Sequence, residues 1–287
     1  MKNHFFISML AAAALLGGLT ACNGKLDKAP RADQVPENAV RITASIGNPF
    51  AATRSMPLGT EEEQGKFNVG DEIFVSTPGL QRATYRFDGT VWVPKEGKYL
   101  LWKEDMERFN AYYPAESGEN PFSYVHPTDQ SSTEKIAKAD LMSVGLDQAK
   151  TKEALHFTMY RRTTRLIVEI AGFKSEFPGD AKVENVRFHN KNNASAPPRT
   201  YIPYAKGEGK TGSTYTVLVR GDAAYNTISL EVGGKTMTAK LSEITYDSGL
   251  SYTYRLTVGK EKLETTEVTV SDWTGSAVIP GGEAKAN

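Results

Sequence analysis

Tyr85-Arg86-Phe87-Asp88-Gly89-Thr90-Val91-Trp92-Val93 sets Asp-Gly between two alternating apolar runs. Glycine reaches the positive φ that a tight hairpin turn requires, so the stretch predicts two antiparallel strands. The same pattern continues in both directions. Upstream, Ile73 to Ser76 reads as a strand after a Gly70-Asp71 turn. Earlier still, Val40, Ile42, Ala44 and Ile46 alternate with Arg41, Thr43 and Ser45, then stop at Gly47-Asn48-Pro49. Period two over that length marks a strand with one buried face. Downstream, strands are expected at 99–102 and 109–113, with Pro114 closing the second. Residues 115–140 are polar and turn-rich, with room for one helical turn at 132–139. Beyond them Leu155, Phe157 and Met159 alternate, Arg161 and Arg162 interrupt, and Leu166, Val168 and Ile170 resume. Further strands are expected at 183–188, 215–219, 228–232, 237–241 and 252–258, with Gly233-Gly234 turning one hairpin. The last apolar positions are Val268, Val270, Trp273, Ala277 and Ile279. Many short strands with almost no helical periodicity predict an all-β fold of antiparallel β-sandwiches. Length divides it into a sandwich over 40–152 and a second over 153–287.

The leading residues have a different character. Lys2 precedes an apolar run from Phe5 to Leu16 and then Leu19-Thr20-Ala21-Cys22. That order reads as a signal peptide over 1–21. Cys22, the only cysteine in the chain, makes the cut site similar to a bacterial lipobox, which implies lipidation of its thiol. Residues 22–39 are the expected solvated tether. The protein is therefore expected to be exported and held at a membrane by lipid. Thirty-four basic and 34 acidic residues leave no net charge, which argues against nucleic acid as a partner.

A catalytic set is not apparent. There is no Gly-x-Ser-x-Gly elbow, no His-Glu-x-x-His and no phosphate-cradling glycine loop. His126, His156 and His189 stand singly, without metal-ligand spacing, so neither metal nor cofactor is expected. Glu61-Glu62-Glu63 reads as a solvated loop. Trp92, Trp102 and Trp273 suit either a sandwich core or a platform for sugar rings, with the core the favoured reading. The chain is not expected to be an enzyme.

Several segments, in order, resemble the fimbrillin family, the type V pilins of Bacteroidales. They are the lipobox at Cys22, the strand 40–46 leading to Thr53-Arg54, Phe67-x-x-Gly70-Asp71-x-Ile73, and Phe109-x-Ala111-Tyr112-Tyr113-Pro114. Asp140-Leu141-Met142, Leu155-x-Phe157, Tyr252-x-Tyr254-x-Leu256-x-Val258 and Val270-x-x-Trp273 complete the set. The resemblance implies two transthyretin-like sandwiches in tandem. It implies an outer-membrane lipoprotein precursor that an arginine-specific protease trims before the protein joins a cell-surface fimbria. It also implies that loss of the first strand opens a groove, which a strand of another subunit fills.

The residues supply a physical case for that sequence of events. Val40, Ile42, Ala44 and Ile46 form a detachable plug, tied to the rest by a polar loop that a protease can enter. Arg54, followed by Ser55, is the arginine in that loop, and the resemblance marks it as the processing site. A groove left by the plug needs alternating apolar residues from elsewhere. Val268, Val270, Ala277 and Ile279 are the donor candidates, with 277–279 expected to stay mobile until assembly. Expected partners are other pilus subunits, the outer membrane through lipid, and a host or bacterial surface receptor. The alternative is a non-polymerising surface lipoprotein that binds glycans or host protein through its sandwich loops.

Overall fold

The computed structural model describes residues 35–47, 66–79, 81–118, 124–190, 198–220, 225–241, 246–259, 263–272 and 277–280. Within them the chain is all-β, arranged as sandwiches. The first sheet contains β1 (Ile42–Ile46), β2 (Glu72–Ser76), β3 (Arg82–Phe87), β4 (Trp92–Pro94), β5 (Met106–Tyr113), β6 (Met142–Ala149) and β7 (Leu155–Arg161), in the order β1-β7-β6-β5-β2-β3-β4. The remaining strands are β8 (Thr163–Phe173), β9 (Glu184–Asn190), β10 (Thr200–Tyr201), β11 (Tyr204–Lys206), β12 (Thr214–Arg220), β13 (Tyr225–Val232), β14 (Lys235–Lys240), β15 (Leu250–Val258), β16 (Leu263–Asp272) and β17 (Ala277–Pro280). They form a four-stranded sheet, β10-β9-β13-β14, and a six-stranded sheet, β11-β12-β8-β15-β16-β17.

The Asp-Gly hairpin is present as β3–β4, but Phe87 pairs with Trp92, so four residues form its loop. Asp88 explains the longer turn: its Oδ1 accepts from the backbone N–H groups of Thr90 and Val91 at 2.8 Å each. Residues 99–102 do not form a regular strand; they make a single bridge, Leu101 to Ala39. Two pairs, β1–β7 and β8–β15, are parallel, where antiparallel neighbours were expected. Neither has a short turn between its strands, and a parallel pair requires a long crossover.

The first sheet does not stop at residue 152. β7 lies in it, between β1 and β6, so it runs on to Arg161. The chain crosses to the second half at Arg161-Arg162-Thr163, where the apolar alternation breaks. Two main cores result. One gathers β1 to β7 around Tyr85, Phe109, Phe157 and Met159, and it includes Trp92 and Trp102. The other lies between the four- and six-stranded sheets around Leu166, Phe188, Leu230 and Tyr254.

The crossing point is pinned by a buried charge cluster. Arg161 Nε donates to both carboxylate oxygens of Asp140, at 3.2 and 3.1 Å, and Thr163 Oγ1 reaches the same carboxylate at 3.3 Å. Asp140 is fully buried. Arg165 lies nearby with its pKa lowered to about 10, first by burial and then by repulsion from Arg161, and it remains charged at neutral pH. A single helical turn, α1 (Thr133–Ala137), is capped by Ser132 and places Ile136 against Leu218 of the second half. Gln130 clamps the Leu218 backbone from both sides, accepting from its N–H at 2.7 Å and donating to its C=O at 2.8 Å.

Candidate assembly site

β1 is an edge strand whose sequence sorts its two faces. Ile42, Ala44 and Ile46 stand opposite Leu155, Phe157 and Met159 in the parallel register with β7. Val40, Ile42 and Ile46 are 0%, 3% and 5% exposed within the first core, and Ala44 packs against it. Each of the three large side chains contributes about 1.5–3 kcal/mol gross by leaving water. The other face is polar. His156 lies between two hydroxyls of β1, with Thr43 Oγ1 3.0 Å from its Nδ1 and Ser45 Oγ 2.9 Å from its Nε2. In either tautomer of a neutral ring, one nitrogen donates and the other accepts.

The residues just before β1 bond to a different part of the sheet. Val40 N–H donates to Leu100 O at 2.8 Å, and Trp102 N–H donates to Asn38 O at 2.8 Å. Buried Tyr85 joins the two segments: its hydroxyl donates to Val40 O at 2.9 Å and accepts from Leu100 N–H at 3.2 Å. Burial pushes the Tyr85 phenol far above its ordinary pKa, so it remains a donor. The segment 38–46 therefore bonds on one side to the chain past β4 and on the other to β7, at opposite ends of the strand order. These contacts tie the residues leading into β1 to the chain beyond the far end of the strand order.

At its exit, β1 runs tightly along β7. Gly47 N–H donates to Met159 O at 2.7 Å, and a Cβ at Gly47 would sit 2.5 Å from Thr158 Cγ2 and 2.8 Å from Tyr160 Cε1. A larger residue there would need the Thr158 and Tyr160 side chains to shift. Cys22, Arg54 and Ser55 lie outside the described residues.

The four donor candidates come together at the edge of the six-stranded sheet. Val268 stands opposite Ile279 and Val270 opposite Ala277 in the antiparallel β16–β17 pair. Residues 277–280 are thus a paired edge strand in the monomer, where mobility was expected. The sequence reading missed the clasp residues. Neither Tyr85 nor His156 carries a local signal, because each acts on a strand more than forty positions away. Among the described residues no group of His, Cys, Asp and Glu is arranged to hold a metal ion, and no helix is long and apolar enough to cross a membrane.

The described residues thus form an all-β chain of sandwiches whose leading strand lies at one end of the first sheet, paired with a strand distant in sequence. The fimbrillin-like family model matches residues 60–273, most of the chain, and the chain belongs to that family. In structure it is similar to a candidate cell adhesion protein from Bacteroides uniformis, at 17% identity and a TM-score of 0.55, covering 82% of this chain and 98% of that one. A candidate cell adhesion protein from Bacteroides ovatus is similar at 12% identity and a TM-score of 0.53, covering 86% and 97%. These two likenesses are of fold alone. No curated protein sequence matches the chain significantly.

Proposed function

We propose that the chain is a structural subunit of a cell-surface fimbria, built from two transthyretin-like sandwiches in tandem. It is exported as an outer-membrane lipoprotein through Cys22. An arginine-specific protease then cuts after Arg54, which makes Ser55 the new N-terminus. The cut frees the segment carrying Val40, Ile42, Ala44 and Ile46, and a strand of another subunit takes its place. The donor comes from the C-terminal region that holds Val268, Val270, Ala277 and Ile279. Its partners are other fimbrial subunits, with a host or bacterial surface receptor as the target of the assembled fibre.

The observation that carries this reading is β1. It is an edge strand with an apolar face in the first core, and its only named strand partner, β7, is distant in sequence. Its removal would expose a row of unpaired backbone groups beside apolar pockets, a template for strand addition. The alternative of a glycan-binding lipoprotein gains nothing from Trp92 and Trp102, which fill the first core.

The processing step is open to direct test. Mass spectrometry of the surface form is expected to show Ser55 as its first residue. Arg54→Ala is expected to abolish filaments by electron microscopy while leaving export and the circular dichroism spectrum unchanged. Filaments at the normal yield from that variant would remove Arg54 from the mechanism.

A further inference from the structure

The end of the first sheet away from the charged crossing point holds a cavity of about 910 Å³. It lies beside the turn from β6 to β7, where Lys150 N–H donates to Asp105 O, just ahead of β5, at 2.8 Å. Val35, Pro36, Glu37, Arg41, Lys150 and Lys152 are among its lining residues. Three of these are cations and one is a carboxylate. Several surface cations elsewhere in the molecule have carboxylate partners, as in Lys98–Glu96, Arg108–Asp147, Lys182–Glu184 and Lys210–Glu208. The side chains of Arg41, Lys150 and Lys152 form no ion pair or hydrogen bond with another described residue.

Three like charges that converge on a concavity with a single counter-charge focus a positive potential there. An excess of two positive charges matches the charge of a phosphate monoester. Arg41 adds a planar fork of donors suited to phosphate oxygens. The cavity is of the size that takes a small molecule or a headgroup. We propose that this cavity binds a phosphate group, carried by an anionic lipid headgroup or by a free phosphate ester, while the leading strand is in place.

Position makes a headgroup a natural source. Val35 lines the cavity and follows Cys22 by 13 residues, a length of chain that spans at most about 45 Å. If Cys22 carries lipid, which is the reading given above, the cavity stays within reach of the bilayer surface. Glu37 and Arg41 belong to the leading segment, so strand exchange, on that same reading, dismantles the site. The precursor would hold the phosphate and the assembled subunit would release it.

The test uses the chain from residue 22 onward carrying Cys22→Ala, so that its outcome is independent of lipidation, which mass spectrometry reads separately. Inorganic phosphate is titrated by NMR chemical shift. In parallel, the protein is sedimented with vesicles of phosphatidylcholine, with and without phosphatidic acid. The triple variant Arg41→Gln/Lys150→Gln/Lys152→Gln is expected to weaken phosphate binding about tenfold or more. A control with the same loss of charge elsewhere, Lys98→Gln/Lys182→Gln/Lys210→Gln, is expected to bind as the parent does. All three cavity positions are exposed, and matching thermal melts of the two triples exclude unfolding; the double variant Lys150→Gln/Lys152→Gln serves if the triple melts early. Loss confined to the cavity variant supports the site. Binding to the phosphatidic acid vesicles then assigns the headgroup as source, and its absence assigns a free ester. No phosphate binding by the parent chain, or equal binding by both triples, overturns the proposal.

Discussion

β1 and β17 are both edge strands, yet they are held in opposite ways. β1 is held by contacts. Its register partners lie 113 positions away, the pairing is parallel, and the residues just before it bond to 100–102. β17 is held by connection. Only four residues, 273–276, separate it from β16, and the pairing is antiparallel over four register pairs. A short closure costs little entropy, so a hairpin strand re-forms readily after opening. A strand held only by long-range contacts, once its connecting loop is cut, has no chain entropy drawing it back. The two edges thus suit different tasks: β1 can be lost for good, and β17 can open and return.

The lengths also differ. The plug offers four alternating apolar positions, 40 to 46, whereas β16 and β17 each offer two, at 268 and 270 and at 277 and 279. Neither C-terminal run alone reproduces the plug, so a donor must add backbone pairing or use both runs. Truncation after Ser276 separates the two roles most sharply. The monomer is expected to fold with its first sandwich unchanged, and filament yield is expected to fall to background by electron microscopy. Normal filaments from the truncated chain would move the donor elsewhere.

A smaller effect is expected inside the plug. Ile42→Ala removes a side chain that is 3% exposed and should lower precursor stability by about 2–4 kcal/mol in urea unfolding. On the proposed cut after Arg54, the same substitution is absent from the processed chain. A subunit isolated after processing should therefore show identical stability whichever precursor it came from. Ile279→Ala, in a four-residue edge strand, should shift the precursor by less than Ile42→Ala. The reverse order would mean that the C-terminal hairpin, not β1, holds the monomer together.

His156 sharpens the comparison on the outer face of the sheet. His156→Ala removes a partner of both Thr43 and Ser45, while Thr43 Oγ1 keeps Leu155 O at 3.3 Å; these contacts are open enough to exchange with water, so the cost should be about 1 kcal/mol. Hydrogen exchange is expected to quicken across β1 and stay unchanged at β17. Equal acceleration at both strands would show a global loss of stability.

Local pattern made the strands legible and left their partners unreadable. The alternation at 40–46 and 155–159 marked two strands with buried faces, and both exist. That they pair with each other in parallel, across β2 to β6 in sequence, has no local signature. For this reason the sequence alone places β7 in the second half: the pattern from Leu155 runs on towards Ile170, and the buried Asp140–Arg161 pair shows where the chain changes sheets. β6 has no counterpart in the sequence reading, although Met142, Val144 and Leu146 alternate with Ser143, Gly145 and Asp147. The cationic cavity was equally hidden, since Arg41 and Lys150 are far apart in sequence and meet only through the fold.

Acid provides the gentlest probe of the same contrast. Glu72 on β2 accepts from Arg86 at 2.6 Å and from Lys95 at 3.0 Å. Burial acts to raise its pKa, but these two cations outweigh burial and hold it below the ordinary 4.5. A carboxylate with a lowered folded-state pKa adds stability that is fully present above the unfolded value and is lost as the pH falls through the folded one. Lys95 leads into residues 100–102, which bond to the plug. Lowering the pH from about 6 to roughly 3 is therefore expected to quicken hydrogen exchange at Val40 and along β1 by more than at β17. Glu72→Gln should remove that difference, because its amide carries no charge to lose. If the variant retains the full acid response of β1, another carboxylate governs how firmly the plug is seated.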